Sequence, residues 1–277
     1  MMNSNFENHI RRYLDRQRND LILEASRYAL EGGKRFRPRI IFAILEGMGI
    51  PEEKGYDAAM ALEFIQTYSL IHDDLPAMDD DDLRRGKPSL HKAFREDIAI
   101  LTGDQLLTDS FRIVSESNDY DSETKVNIIK ALSTYAGRDG MIYGQLLDVT
   151  SDKNDLDSEK LYLIQENKTS GLFKIACLIP MYIAHMDKED YFTVLGSLIG
   201  HIFQNQDDLF DMIKTEEEMG KNLSDVRNDK LTALQFCDVD TLKKLIDDEF
   251  EVLDHYLENA PFDTQSLKEL LMKLKER

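Results

Sequence analysis

The sequence predicts an all-α protein, a single domain (1–277) of antiparallel helices packed around a central cavity. Apolar residues recur at spacings of three and four over long segments. Strand-like alternation is hard to find, and 277 residues contain only six prolines. Four segments read as helices most clearly: 57–74, 98–116, 188–213 and 240–257. Breaks are local: Gly32 and Gly33, the stretch 47–51, Pro76, Lys87 and Pro88, the polar stretch 150–158 and the charged stretch 214–229. None has the length or composition of an interdomain linker, and no fixed-period repeat is evident.

Hydrophobic residues make up 42% and charged residues 31%, a globular and not a disordered composition. No apolar run reaches the roughly 20 residues needed to span a bilayer. The first residues are too polar for a signal peptide. Cys177 and Cys237 fall in apolar stretches and read as buried free thiols in a reducing cytoplasm. A net charge of −19 argues against nucleic acid and anionic membrane as partners.

Acidic residues are concentrated in two places. HDDLPAMDDDD holds six carboxylates between Asp73 and Asp82, and QDDLFD carries Asp207, Asp208 and Asp211. One like-charge pair at 4 Å costs on the order of 4 kcal/mol at an effective dielectric near 20. Hard divalent cations are the natural compensation, and Mg²⁺ favours a few carboxylates plus substrate phosphates. The bland reading, a solvated acidic loop, would have to occur twice, each time at the end of an apolar helical run.

Leu62, Ile65, Gln66, Ser69 and Asp73 share one helical face, so Asp73 ends an inward stripe. Asp79 is six residues later and on a straight helix would point elsewhere. Pro76 favours a break that lets both carboxylates reach one metal pair. In the second cluster Gly200, Phe203, Gln204, Asp207 and Asp211 form one stripe without a break. Bundles build metal sites from such inward-facing side chains.

Cations come from three places. In GGKRFRP, Lys34 and Arg37 stand at a helix N-terminus, a ready anion site. Arg84, Arg85 and Lys87 follow the first acidic cluster, and Arg forks suit diphosphate oxygens. Lys168, Lys221 and Lys230 are scattered later.

These words resemble the trans-isoprenyl diphosphate synthases, most closely the bacterial short-chain farnesyl diphosphate synthases. The resemblance rests on GGKRFRP, YSLIHDDLPAMDDDDLRRGKPSLH, LTGDQLL, GQLLD, NKTSGLF and FQNQDDLFD, and covers 32–230. It implies the isoprenoid synthase fold and a homodimer. It implies three Mg²⁺ ions, with Asp73 and Asp79 as ligands of two and Asp207 of the third. Asp74, Asp208 and Asp211 are in support, and Asp211 is counted with the metal set. Arg84, Lys168 and Lys221 then hold the allylic diphosphate, and Lys230 closes over it. Lys34, Arg37 and Arg85 resemble the pocket for isopentenyl diphosphate, with Gln66 where the family usually has a His. Thr169 and Gln204 match residues near the developing allylic cation, and Gln145 and Asp148 a supporting polar pair. Tyr68, with the small Ser69, resembles the bulk that stops elongation at C15. Gln165 replaces another frequent His, and KLTALQF departs from the family after Lys230.

The implied activity is head-to-tail prenyl transfer, condensing isopentenyl diphosphate with dimethylallyl or geranyl diphosphate to farnesyl diphosphate. Alternatives are a geranyl or geranylgeranyl diphosphate synthase, or a non-catalytic subunit of a heteromeric synthase. A terpene cyclase and a head-to-head synthase fit the words less well. A helical Ca²⁺- or Mg²⁺-binding protein would leave the paired Arg and Lys words unexplained.

Overall fold

The computed structural model describes residues 4–151, 157–213 and 236–275, apart from the side chains of 211–213. Four helices come first: α1 (Ser4–Leu14), α2 (Leu21–Leu30), α3 (Phe36–Gly47) and α4 (Tyr56–Asp73). A short α5 (Leu90–Ala93) precedes α6 (Glu96–Glu116), α7 (Ser122–Tyr135) and α8 (Met141–Thr150). Then come α9 (Ser158–Lys168), α10 (Ser170–Ile183) and α11 (Glu189–Ile213), and finally α12 (Val239–Leu257) and α13 (Gln265–Lys275). The four helices clearest in the sequence match α4, α6, α11 and α12 to within two residues at each end.

Among the described residues the only departure from helix and loop is a two-stranded pairing of Leu83–Arg84 with Lys87–Pro88. Arg85 (φ 55°) and Gly86 (φ 74°) form its turn. Two residues per strand are too few for alternation to register in the sequence, and the tight turn needs positive φ at both central positions.

Helix starts are fixed by side chains. Asp20, Asp121, Asp157 and Asp238 each accept the backbone N–H three residues on, at 2.8 to 3.1 Å. The core centres on two helices that are apolar nearly all round. Ala58 through Ile65 of α4 are all buried, Glu63 included, as are Gly171 through Tyr182 of α10 except Lys174. The main packing partners are α6 for α4 and α11 for α10. Glycines set the second contact. A Cβ at Gly196 would stand 2.4 Å from Lys174 Cα, and one at Gly200 2.4 Å from Ser170 Oγ.

Cys177 is buried as expected, whereas Cys237 is only half-buried, because it lies in the exposed approach to α12. Burial raises both thiols above their usual pKa. No described helix is long and apolar enough to cross a membrane.

Candidate active site

The first acidic word folds as a closed turn. α4 stops at Asp73, and Asp79 N–H returns to donate to the Asp73 carbonyl at 2.9 Å. Met78 N–H reaches Leu75 O at 2.8 Å, and Asp80 takes a positive φ of 48°. The LPAM insert therefore brings Asp79 back beside Asp73. Burial pushes the Asp73 carboxyl up to about 6; the charges of Asp79 and Asp74 push the same way, against Lys168 and Arg84. Such a group favours a cation partner.

Asp74 is different. It is 2% exposed and is taken by Arg84, whose Nε lies 3.0 and 3.1 Å from its two oxygens. A second Arg84 nitrogen contacts Asp74 and reaches Asp81 at 3.2 Å. Asp74 thus braces Arg84 and does not face the cavity.

On α11, Phe203, Gln204 and Asp207 line the same cavity as Asp73. Gln204 is held at both ends of its amide. Its Oε1 accepts Thr169 Oγ1 at 2.7 Å, and its Nε2 donates to Asp208 Oδ1 at 2.9 Å. Asp208 is 4% exposed, so, like Asp74, it supports a neighbour. Lys168, the last residue of α9, pairs with Asp148. Burial opposes the Lys168 charge, but Asp148, Asp73 and Asp79 outweigh it and hold its pKa above the usual value.

Two short words weak in the sequence acquire a physical reading. In GQLLD, Gly144 lets α8 approach α9 so closely that a Cβ would stand 2.2 Å from Lys168 N. Gln145 then donates to Asp73 Oδ1 at 2.9 Å, and Asp148 reaches Lys168. In LTGDQLL, Gly103 makes room for His72, whose Nε2 would be 2.1 Å from a Cβ there. Both glycines seat residues next to, or in contact with, Asp73.

In GGKRFRP all three cations border the cavity, but one of them is already neutralised by carboxylates. Arg35 (φ 51°) turns into the protein, 5% exposed, and pairs with Glu7 at 2.8 Å and Glu63 at 2.7 Å. Lys34 and Arg37 line the cavity. The Arg37 guanidinium lies 4.3 Å over the Phe173 ring, and burial lowers its pKa to about 10, so it stays charged at neutral pH. Arg37 Nε, Gln66 Oε1 and Gln145 Oε1 are buried without a hydrogen-bond partner among the described residues. A buried orphan costs free energy unless something meets it, and all three residues line the cavity.

That cavity measures about 1250 Å³. Of the residues singled out in the sequence, it gathers Lys34, Arg37, Gln66, Tyr68, Ser69, Asp73, Arg85, Gln145, Lys168, Thr169, Gln204 and Asp207. Tyr68 is 7% exposed, and burial with the Asp73 charge pushes its hydroxyl up to about 12. Asp79 and Arg84 do not line the cavity; they stand beside Asp73 and Asp74 in the exposed turn. Gln165 points elsewhere, with its amide 3.5 Å from Asn205 Oδ1. Lys221, Lys230 and the Asp211 side chain lie outside the described residues. The sequence reading missed Leu270, Lys273 and Leu274 of α13, which also line the cavity. Their spacing of three and four on an amphipathic helix was the available signal.

The donors suit Mg²⁺. They are carboxylate oxygens, and burial raises the pKa of one of them, Asp73, so a bound cation would stabilise its charge. Among the described residues no group of three or more acidic, His or Cys side chains could hold a metal by itself. Mg²⁺ characteristically takes one or two carboxylates and completes its shell with water and phosphate.

A shell of helices around one cavity, with acidic side chains from α4 and α11 and basic ones from α3 and α9, defines an isoprenoid synthase fold. The chain superposes on a geranyltransferase from Helicobacter pylori complexed with magnesium and isoprenyl diphosphate, with a TM-score of 0.87, 29% identity, and 99% and 96% of the two chains covered. A geranyltranstransferase from Thermotoga maritima gives 0.81 at 31% identity, covering 99% and 97%. Farnesyl diphosphate synthase of Bacillus subtilis is 40% identical over 234 residues, 82% of this chain and 79% of that one. A heterodimeric geranylgeranyl pyrophosphate synthase large subunit of Arabidopsis thaliana is 40% identical over 221 residues, 76% and 60%. The polyprenyl synthetase model matches residues 19–274, and the chain belongs to that family.

Proposed function

We propose that the protein is a short-chain trans-prenyltransferase that condenses isopentenyl diphosphate with dimethylallyl or geranyl diphosphate, ending at farnesyl diphosphate. One observation carries the reading: Asp73 and Asp207, from separate helices, line the same cavity as Lys34, Arg37 and Lys168. Two anionic substrates need two cationic sites in a protein of net charge −19.

In this reading Asp73, Asp79 and Asp207, with Asp211, would hold Mg²⁺, three ions with substrate present. Mg²⁺ held there would supply the charge neutralisation that lets the allylic diphosphate depart. Lys168 and Arg84 hold its oxygens, joined by Lys221 and Lys230. Lys34, Arg37 and Arg85 hold isopentenyl diphosphate, with Gln66 donating a neutral hydrogen bond. Ionisation of the C–O bond leaves an allylic cation beside Gln204 Oε1 and Thr169 Oγ1, oxygens that favour positive charge. The isopentenyl double bond attacks that cation, aligned by its own diphosphate. The proton then lost passes to the departed diphosphate. Apolar walls exclude water that would quench the cation.

Tyr68 supports the C15 product, since a bulky ring five residues before Asp73 shortens the room for a growing tail. The reading further includes a homodimer in the cytoplasm. A geranylgeranyl product is the second reading, favoured by the similarity to plant geranylgeranyl synthases. Mass spectrometry of products from geranyl and isopentenyl diphosphate decides between them: C15 alone supports the first and C20 the second. No condensation product from any allylic primer overturns both.

A further inference from the structure

A second polar cluster lies beside the cavity and outside it. Glu166, in the last turn of α9, receives Lys174 Nζ from α10 at 2.5 Å. It also receives Ser197 Oγ at 2.9 Å and sits 3.0 Å from His201 Nε2, both from α11. The group is largely enclosed: side-chain exposures are 21% for Glu166, 12% for Lys174 and 11% for His201. Tyr162, one turn earlier on α9, stacks on the His201 ring at 4.4 Å and 11°. Burial alone would disfavour the Glu166 charge, but the donors from His201, Lys174 and Ser197 outweigh it, and the carboxyl falls to about 2. Glu166 is therefore a carboxylate, and His201 must donate its Nε2 proton to it.

The placement of this carboxylate is informative. Two and three residues after Glu166 come Lys168 and Thr169; three and six residues after His201 come Gln204 and Asp207. The α9–α11 junction is thus bridged in adjacent turns, outside by Glu166 to His201 and Ser197 and inside by Thr169–Gln204 at 2.7 Å, with Gln165 to Asn205 at 3.5 Å as a further link. Lys174 ties α10, which begins at Ser170 immediately after Thr169, into the outer bridge.

We propose that Glu166, through His201, Ser197 and Lys174, is a positioning residue. It sets the separation between the Lys168–Thr169 pair on one helix and Gln204 and Asp207 on the other. The proposal rests on the prenyltransferase reading for what is positioned. A buried ion pair adds uncertain net stability, but it fixes one arrangement, because losing one partner strands the other. Diphosphate departure is sensitive to such an arrangement: a misplacement near 1 Å can cost ~10²-fold in rate.

The test uses the full-length protein with Mg²⁺, geranyl diphosphate and isopentenyl diphosphate, assayed well below the melting temperature of each variant. Glu166→Ala is expected to lower kcat ~10–100-fold and raise KM for geranyl diphosphate, leaving KM for isopentenyl diphosphate unchanged. Glu166→Gln, which keeps acceptor geometry, is expected to recover part of the loss. His201→Phe keeps the stack on Tyr162 and removes the donor, so it decides the matter if Glu166→Ala fails to fold; a fall of ~10-fold in kcat is expected. Wild-type kinetics in folded Glu166→Ala or in His201→Phe would overturn the proposal. So would an equal rise in both KM values without a fall in kcat. An inactive wild type would instead overturn the prenyltransferase reading, so the two failures are distinguishable.

Discussion

Gly144 of α8 lies against the backbone of Lys168 in α9, so close that a methyl group at 144 would stand 2.2 Å from Lys168 N and 2.6 Å from its Cα. Backbone atoms cannot rotate aside as a side-chain tip can. Gly144→Ala therefore forces the two helices apart, at a cost of about 1–3 kcal/mol. It also draws Gln145 from Asp73 and Asp148 from Lys168. Chemical denaturation should show the stability loss. Steady-state kinetics should show a fall in kcat larger than that of Gly103→Ala, where the opposing atoms belong to the movable His72 ring.

Asp73→Ala and Asp207→Ala each remove a carboxylate lining the cavity. Each is expected to lower kcat at least ~10²–10³-fold with little change in fold. The check is product formation at saturating Mg²⁺ beside circular dichroism of the same samples. Full activity in either variant would remove that residue from the metal set.

Tyr68 is a buried aromatic in the cavity wall. Tyr68→Ala opens space where a C15 tail would end. The expected outcome is a shift of product toward C20 or longer, read by mass spectrometry. An unchanged C15 product would mean that other wall residues set the length.

Glu166 gives a pH dependence with a definite sign. In the folded protein His201, Lys174 and Ser197 hold its carboxyl at about 2, below the ordinary glutamate value of 4.5. Its contribution is therefore fully present above about pH 5 and lost as pH falls through about 4.5 toward 2. The amount is on the order of 2 kcal/mol after allowance for partial exposure. Urea unfolding of wild type and Glu166→Gln at pH 6 and pH 3 isolates it: the stability gap between them should shrink at pH 3. A gap independent of pH would contradict the ionised cluster.

Much of this was legible in the sequence because helical periodicity and charge spacing are local signals. The face carrying Gln66, Ser69 and Asp73, and the one carrying Phe203, Gln204 and Asp207, could be read from intervals of three and four. Pro76 announced the turn that returns Asp79 to Asp73. What could not be read depends on partners distant in the chain. Arg35 and Arg37 are two residues apart in one word and both line the cavity, yet Arg35 is spent on Glu7 and Glu63 while Arg37 Nε has no hydrogen-bond partner among the described residues. Asp74 and Asp208 read as supporting carboxylates in the sequence, but that their partners are Arg84 and Gln204 shows only in the fold. Lys273 reaches the cavity only because α13 packs on α3. Glu166 and His201 are separated by a whole helix and belong to no motif.

The central claim is that acidic side chains from α4 and α11 hold a metal-loaded diphosphate between them. Crystals grown with Mn²⁺ and a non-ionising allylic diphosphate analogue test it directly through anomalous scattering from the metal. The account predicts manganese bound by Asp73 and Asp207, with the diphosphate bridging them and Lys168 in contact. Metal and diphosphate bound away from these two carboxylates would contradict it.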